Sequence, residues 1–507
     1  MGKRVLPLVL IPFLFLYGVK AGAVEKEERT WQDELIYSLM VDRFNDGNEK
    51  NAKDIDVNDP KAYNGGDFRG IQEQLDYIKD MGFTAISLSP VFDNEDRGYH
   101  GYWIRDYYKT EEHFGTMEDF KKLVKEAHKR DMKILAEFPV NHVGPNHPWL
   151  KDSGKQDWFL EKGTSDSEND NVEQEASWSE NLPELNLGNP ETRGYLLDAA
   201  KWWVRETGID GFSLGSLQKA PMDFWSDFSR AVKEEKQDFF LAGQIPENDP
   251  KAIEELKKNG IDAFMDYKKA RQLRTAFSGT DTSLEDVFPA FEKSGSSMNM
   301  GNFLDNHEMS RFTNEAVAKK QHPGTRWKMA LSYLYTVPGM PVVYYGSEIA
   351  MNGGEVPDNH QLMAFKAEKE LIDYITKLGE LRKQLPSLSK GNSRLLYEKG
   401  GMAIFQRTYG DETVFIAINN TSKTQTVTLD KGIIEEGKEL RGLLTGDLVR
   451  SKGDKYTIVL DREIAEVYAL ADKSGLNVPY LVIMGAVYTA FAVFIILIWK
   501  RARRNRA

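Results

Sequence analysis

Chemistry in this chain must run on carboxylates, imidazoles and hydroxyls, because its 507 residues include no cysteine. A thiol nucleophile, a thiolate metal site and a disulfide are all excluded. The remaining candidates gather in short segments. His100, Tyr102 and Trp103 fall in Tyr99-His100-Gly101-Tyr102-Trp103. His142 closes Glu137-Phe138-Pro139-Val140-Asn141-His142, and His307 precedes Glu308 in Phe303-Leu304-Asp305-Asn306-His307-Glu308. Aromatic faces beside histidines and a carboxylate suit a ligand that both stacks and hydrogen-bonds. Two other segments are informative for what they lack. Gly208-Ile209-Asp210-Gly211-Phe212-Ser213-Leu214-Gly215 ends on a residue with no side chain. Leu241-Ala242-Gly243-Gln244-Ile245 carries an amide with no titratable proton.

Segments so far apart in sequence need a frame that brings their ends together. Short apolar runs at 35–40, 85–90, 133–138, 211–215, 239–244, 263–267, 300–304 and 341–346 read as strands. Amphipathic stretches such as 71–81, 117–130 and 190–207 read as helices between them. Eight strands alternating with helices predict an α/β fold, a (β/α)₈ barrel over residues 31–386. The polar segment at about 143–189, with an acidic stretch at 165–170, is too long for a plain connection and reads as an inserted loop domain. After Leu385-Pro386 the pattern changes. Alternating runs at 395–397, 402–408, 413–419, 424–429, 456–460 and 464–470 predict a small antiparallel β-domain over 394–470.

Both ends carry membrane signals. Lys3 and Arg4, an apolar stretch at 5–19 and Ala21-Gly22-Ala23 predict a signal peptide over residues 1–23. Residues 480–499 hold no charge and are long enough to cross a ~30 Å hydrocarbon core. Tyr480 and Trp499 bracket that run, and Lys500, Arg501, Arg503, Arg504 and Arg506 follow it. Cations flanking a span mark its cytoplasmic side. The expectation is a single-pass protein of the cell membrane, its body outside and a cytoplasmic tail at 500–507. A net charge of −12 argues against a nucleic-acid partner.

Over most of residues 31–470 the motifs resemble the α-amylase superfamily, glycoside hydrolase family 13, with the flavour of its cyclodextrin-forming and maltogenic members. Val41-Asp42-Arg43-Phe44-Asn45-Asp46-Gly47-Asn48, the segments around Trp103, His142 and Glu308, and Leu182-Pro183-Glu184-Leu185-Asn186 carry the likeness. It implies that His100, Tyr102, Trp103, His142 and His307 line a sugar subsite. It implies a nucleophile at Gly215, an acid/base at Gln244 and a third carboxylate at Glu308, one methylene longer than the family's aspartate. Glu137 and Glu184 also stand where aspartates are usual, and Ser213 replaces an arginine. Val356 and His360 stand for an aspartate and an arginine that grip a sugar further along the cleft.

A calcium loop is implied at Asp46, Asn48, Asn51, Gly65 and Asp67, whose oxygens suit a hard cation. A second family calcium position would use Asn141 and Glu184, but Lys219 stands there in place of a histidine, and cation repels cation.

A retaining glycosidase needs two carboxyl groups about 5–5.5 Å apart. Glycine and glutamine supply neither, and neither Asp210 nor Glu247 has the position to substitute. The leading expectation is a catalytically inactive, membrane-tethered amylase-like protein. Its partner would be an α-glucan or other glycan, or a membrane or cell-surface protein. The alternative is an active α-glucan hydrolase or transferase with unconventional catalytic groups.

Overall fold

The computed structural model describes residues 29–161, 181–245, 249–288, 299–430, 432–435, 437–453, 455–473 and 478–504. The signal-peptide segment, the acidic stretch at 165–170 and Glu247 lie outside the described residues.

Eight parallel strands close into a barrel in the expected order: Ile36–Leu39, Ala85–Leu88, Lys133–Glu137, Gly211–Leu214, Phe240–Ile245, Ala263–Asp266, Asn299–Asn302 and Met340–Tyr344. The ring closes where Ile36 pairs with Val342. Register decides what meets at the rim. Glu137 sits opposite Ser213, Leu214 opposite Gly243 and Gln244 opposite Met265. The C-terminal ends of the third, fourth and fifth strands therefore reach one level, the face on which barrels of this kind carry their sites.

The helices follow local rules. Helix Pro190–Thr207 starts with proline in its first turn, after Asn189, whose side chain accepts from the amides of Glu191 and Thr192. It stops at Gly208, whose φ of 69° favours glycine. Leu196, Ala199, Ala200, Trp203, Val204 and Thr207 form its buried stripe. The single helix expected at 71–81 is instead two, Phe68–Glu73 and Leu75–Asp80, broken at Gln74. The first begins earlier because Asp67 caps it by accepting from the amide of Gly70. Gly70 itself must lack a side chain, since a Cβ there would lie 1.7 Å from the carbonyl oxygen of Asn45.

Four strands escaped the sequence reading. Phe92–Asn94 and Ile104–Thr110 form an antiparallel ribbon that holds the Tyr99–Trp103 segment over the barrel mouth. Lys438–Gly442 and Leu448–Arg450 extend the C-terminal sheet, which runs Asn392–Lys399, Met402–Tyr409, Glu412–Asn419, Ile464–Asp472, Lys438–Gly442, Leu448–Arg450. Gln425–Asp430 and Lys455–Leu460 pair separately. Within the segment 143–189, short 3₁₀ turns occupy Pro148–Lys151 and Ser153–Trp158. The last described element is helix Val478–Arg504, whose portion Val482–Arg501 is long and apolar enough to cross a membrane.

Candidate active site

A cavity opens at the C-terminal rim, lined by Glu137, Ser213, Gln244, Tyr267, Asn306 and His307 among others. At Gly215 the strand ends bare. A Cβ built there would lie 3.6 Å from Oε1 of Glu137 and 3.8 Å from Oε1 of Gln244. The next residue, Ser216, turns the chain away with a left-handed φ of 46°.

Glu137 is buried, and that burial, with the negative charge of Glu308, pushes its carboxyl up to about 8. The hydroxyl of Tyr102 donates to it and opposes part of that rise. Glu137 is therefore protonated at neutral pH. Sequence reasoning recorded its departure from aspartate but gave it no role. The signal was present: the extra methylene lengthens the side chain at the strand end next to Gly215.

Tyr267, also missed, organises the other half of the rim. Its hydroxyl lies 2.7 Å from Oε2 of Glu308 and 3.2 Å from Oε1 of Gln244, and accepts from Nδ2 of Asn306 at 2.8 Å. A phenol has one proton, and the shorter contact to a carboxylate is the stronger claim on it. Gln244 is thus packed beside a hydroxyl already committed to Glu308.

The expected binding residues do gather. The Tyr102 hydroxyl meets Nε2 of His307 at 2.5 Å, and its ring stacks on that imidazole with centroids 5.5 Å apart. The His142 ring lies 6.3 Å from the Tyr102 ring, and the Trp103 ring stands edge-on to His100 at 5.0 Å. His100 accepts the amide of Tyr102 through Nδ1 at 3.1 Å. Burial lowers the basicity of all three histidines, His142 to about 4, so each is neutral at physiological pH. Nε2 of His142 is buried without a hydrogen-bond partner. His360 is spent on structure: Nε2 meets the carbonyl of His307 at 2.7 Å and Nδ1 the Tyr99 hydroxyl at 3.1 Å. Val356 packs on Tyr102, which is 6% exposed.

Asp210 is at the opposite end of its strand, paired with Lys236 at 2.7 Å and His128 at 2.8 Å, away from the rim. The calcium-loop residues also meet. Oδ1 of Asp67 accepts from the amides of Gly47 and Gly70 at 3.1 and 2.6 Å. Nδ2 of Asn51 donates to Oδ2 of Asp67 and to the carbonyl of His113, which leaves its Oδ1 buried and unpartnered. Asp46 accepts from the amide of Asn48 through Oδ1, and its Oδ2 faces Gly65. At the second cation position Lys219 reaches Glu184 instead.

The chain matches the family description "Alpha amylase, catalytic domain" over residues 38–383 and "Alpha-amylase C-terminal domain" over 391–468. It is 31% identical over 458 residues to a beta/alpha-amylase of Paenibacillus polymyxa, aligning 86% of this chain but only 38% of that protein. A cyclomaltodextrinase of Geobacillus thermopakistaniensis is 30% identical over 457 residues, 85% of this chain and 75% of that one. Among solved structures, an Anoxybacillus α-amylase superposes with a TM-score of 0.83 at 55% identity, covering 89% of this chain and 100% of that one. The α-amylase of Geobacillus thermoleovorans, complexed with acarbose, gives 0.82 at 51% identity, covering 88% and 100%. With the closed barrel, the rim residues and these matches in agreement, the chain belongs to the α-amylase family, glycoside hydrolase family 13.

Proposed function

We propose that this protein acts on α-glucans at the barrel mouth, through groups other than the family's usual pair of carboxylates. The observation that carries the reading is the unpartnered Nε2 of His142, whose ring lies near that of Tyr102, itself stacked on His307. A buried polar atom without a partner is costly unless a ligand completes it, and a sugar hydroxyl beside aromatic faces does so. The names of the relatives, a cyclomaltodextrinase and an α-amylase complexed with acarbose, support the same ligand class. Calorimetric titration with maltotriose and acarbose tests it. We expect binding by the wild type and at least a tenfold loss in Tyr102→Ala/Trp103→Ala with the fold retained. No binding by the wild type overturns the reading.

A second reading, a non-hydrolytic glycan- or protein-binding module, is favoured by Gly215 and Gln244, which take away the family's usual nucleophile and acid/base carboxyls. Product analysis on maltodextrin separates the two.

The calcium loop belongs to the same proposal: Asp46, Asn48, Asn51, Gly65 and Asp67 would hold one calcium ion, which supplies charge to fix the first loop. The unpartnered Oδ1 of Asn51 fits such a donor set. The apolar helix Val482–Arg501, followed by cations, supports a membrane tether with the body outside. Protease added to intact protoplasts would then digest the body and spare a C-terminal tag, and a digested tag would reverse the orientation.

A further inference from the structure

Each position from which the family's carboxyl is missing is bordered by a glutamate at the barrel rim. Glu308 approaches Gln244 through the hydroxyl of Tyr267. Glu137 approaches Gly215 directly, its Oε1 3.6 Å from the point a Cβ would occupy. Among the described residues no other side-chain carboxyl oxygen comes within 4 Å of that point. The two borders are not equivalent. On the Gln244 side the Tyr267 hydroxyl already donates to Glu308, so that hydroxyl is not available to protonate a leaving sugar. On the Gly215 side the missing side chain leaves room for a Cβ in ordinary van der Waals contact with Glu137 and Gln244, and the Glu137 carboxyl, which lines the cavity, has no ion-pair partner among the described residues.

We propose that Glu137 is the nucleophile of this site, taking an α-glucosyl group from donors whose leaving group departs as an anion and needs no proton. The inference rests on the reading that α-glucans bind at the mouth. In the step, a carboxylate oxygen of Glu137 attacks the anomeric carbon. The carbon–leaving-group bond breaks, and its electron pair departs with the anion. A glucosyl ester of inverted configuration forms on Glu137. Water then attacks the same carbon, the ester bond breaks, and the sugar is released with its original configuration while the water's proton passes to solvent. No oxidant, reductant or metal is required.

The groups facing Glu137 set its pH dependence. Tyr102 donates to it, the charge of Glu308 opposes its ionisation, and Tyr267 lies within reach of both carboxyls. The neutral histidines His142 and His307 add no positive charge at physiological pH. Ionisation is needed before attack, so the rate climbs with pH and levels off above about 8.

The test uses the full-length chain in detergent and α-maltosyl fluoride, whose fluoride leaves without protonation. Fluoride release is followed by electrode from pH 6 to 9.5, and maltotriose binding is measured in parallel. We expect release at least tenfold above the spontaneous rate at pH 8.5, rising about tenfold per pH unit below the plateau. We expect Glu137→Gln to fall to the spontaneous rate while still binding maltotriose measurably, and Glu137→Asp, which is too short to reach, to fall with it. The released maltose should be the α-anomer by proton NMR. Mass spectrometry of rapidly quenched samples should find a maltosyl ester on the peptide carrying Glu137. The substitution to glutamine keeps the shape and neutrality of the protonated acid, so folding is preserved. Wild type that binds maltotriose but releases no fluoride above background overturns this inference alone. So does Glu137→Gln with wild-type release, or β-maltose as the first product. Wild type that binds no maltotriose overturns the reading of the mouth and this inference together.

Discussion

Nζ of Lys219 lies 3.6 Å from Oε1 of Glu184, so an ammonium group ties the turn after the fourth strand to the inserted segment. Both side chains are about one-third exposed, at 36% and 35%, which limits the pair to under about 1 kcal/mol. Beside them Asn141 donates through Nδ2 to the carbonyl of Ser216, while its Oδ1 is buried and unpartnered. Lys219→Ala should lower the melting temperature by no more than a few degrees. It should also create a calcium response, because Glu184 and Asn141 are then free to accept a cation. Terbium luminescence in the variant, set against an Asp46→Ala background, reads this. An unchanged signal would mean that the lysine does not occupy a cation's place.

Gly215 is tolerant where other glycines are not. A Cβ there meets only ordinary van der Waals contacts at 3.6 and 3.8 Å, and its φ is not left-handed. Gly215→Ala should be neutral or add roughly 0.4–1 kcal/mol by restricting the unfolded chain. Gly70→Ala, driven into the carbonyl of Asn45, should instead cost more than about 2 kcal/mol. Parallel urea melts of the two variants compare them directly.

Glu137 gives stability a pH dependence of definite sign. Its folded value of about 8 lies above the ordinary 4.5, so the folded state holds a proton that the unfolded state has lost. Its contribution is fully present below 4.5 and lost as pH rises toward 8, at about 1.4 kcal/mol per unit. Glu137→Gln removes that loss. The difference between variant and wild type should therefore widen in the variant's favour from pH 5 to 8. The histidines act in the opposite sense: His142, depressed from 6.5 to about 4, withdraws stability as pH falls through that window. A difference curve that stays flat from pH 5 to 8 would show that the Glu137 carboxyl is not raised.

Chelation probes the first loop. If calcium binds only the native state, a hundredfold excess over its dissociation constant adds about 2.7 kcal/mol. Adding a chelator should lower the melting temperature of the wild type and leave that of Asp46→Ala unmoved. Equal curves with and without chelator would indicate a loop held by its own hydrogen bonds.

The parts of the structure that local chemistry dictates were legible in the sequence. Helix Pro190–Thr207 could be bounded because proline at its start and Gly208 at its end each do one local job. The barrel strands could be placed because apolar runs buried on both faces leave little alternative. The break at Gln74 has no comparable signal, and it follows from where Asp67 and Gly70 anchor the preceding turn. The ribbon Phe92–Asn94 with Ile104–Thr110 was hidden by its irregular pairing. Lys438–Gly442 was hidden by charge, because its Glu439 and Arg441 pair with each other at 2.9 Å. At the rim, the gap at residue 215 could be read from one letter. What borders it could not, because Glu137 arrives there only through the register between the third and fourth strands.

The contact of Val356 with Tyr102 has a kinetic consequence. Tyr102, a residue only 6% exposed, offers little surface for a ligand to meet on first encounter. If a sugar is to stack on Tyr102, the Val356 side chain must first move aside, which would divide association into an opening step and a docking step. The observed rate should then level off as ligand concentration rises, at a ceiling set by the opening step rather than by diffusion. Truncating Val356 to alanine would raise that ceiling.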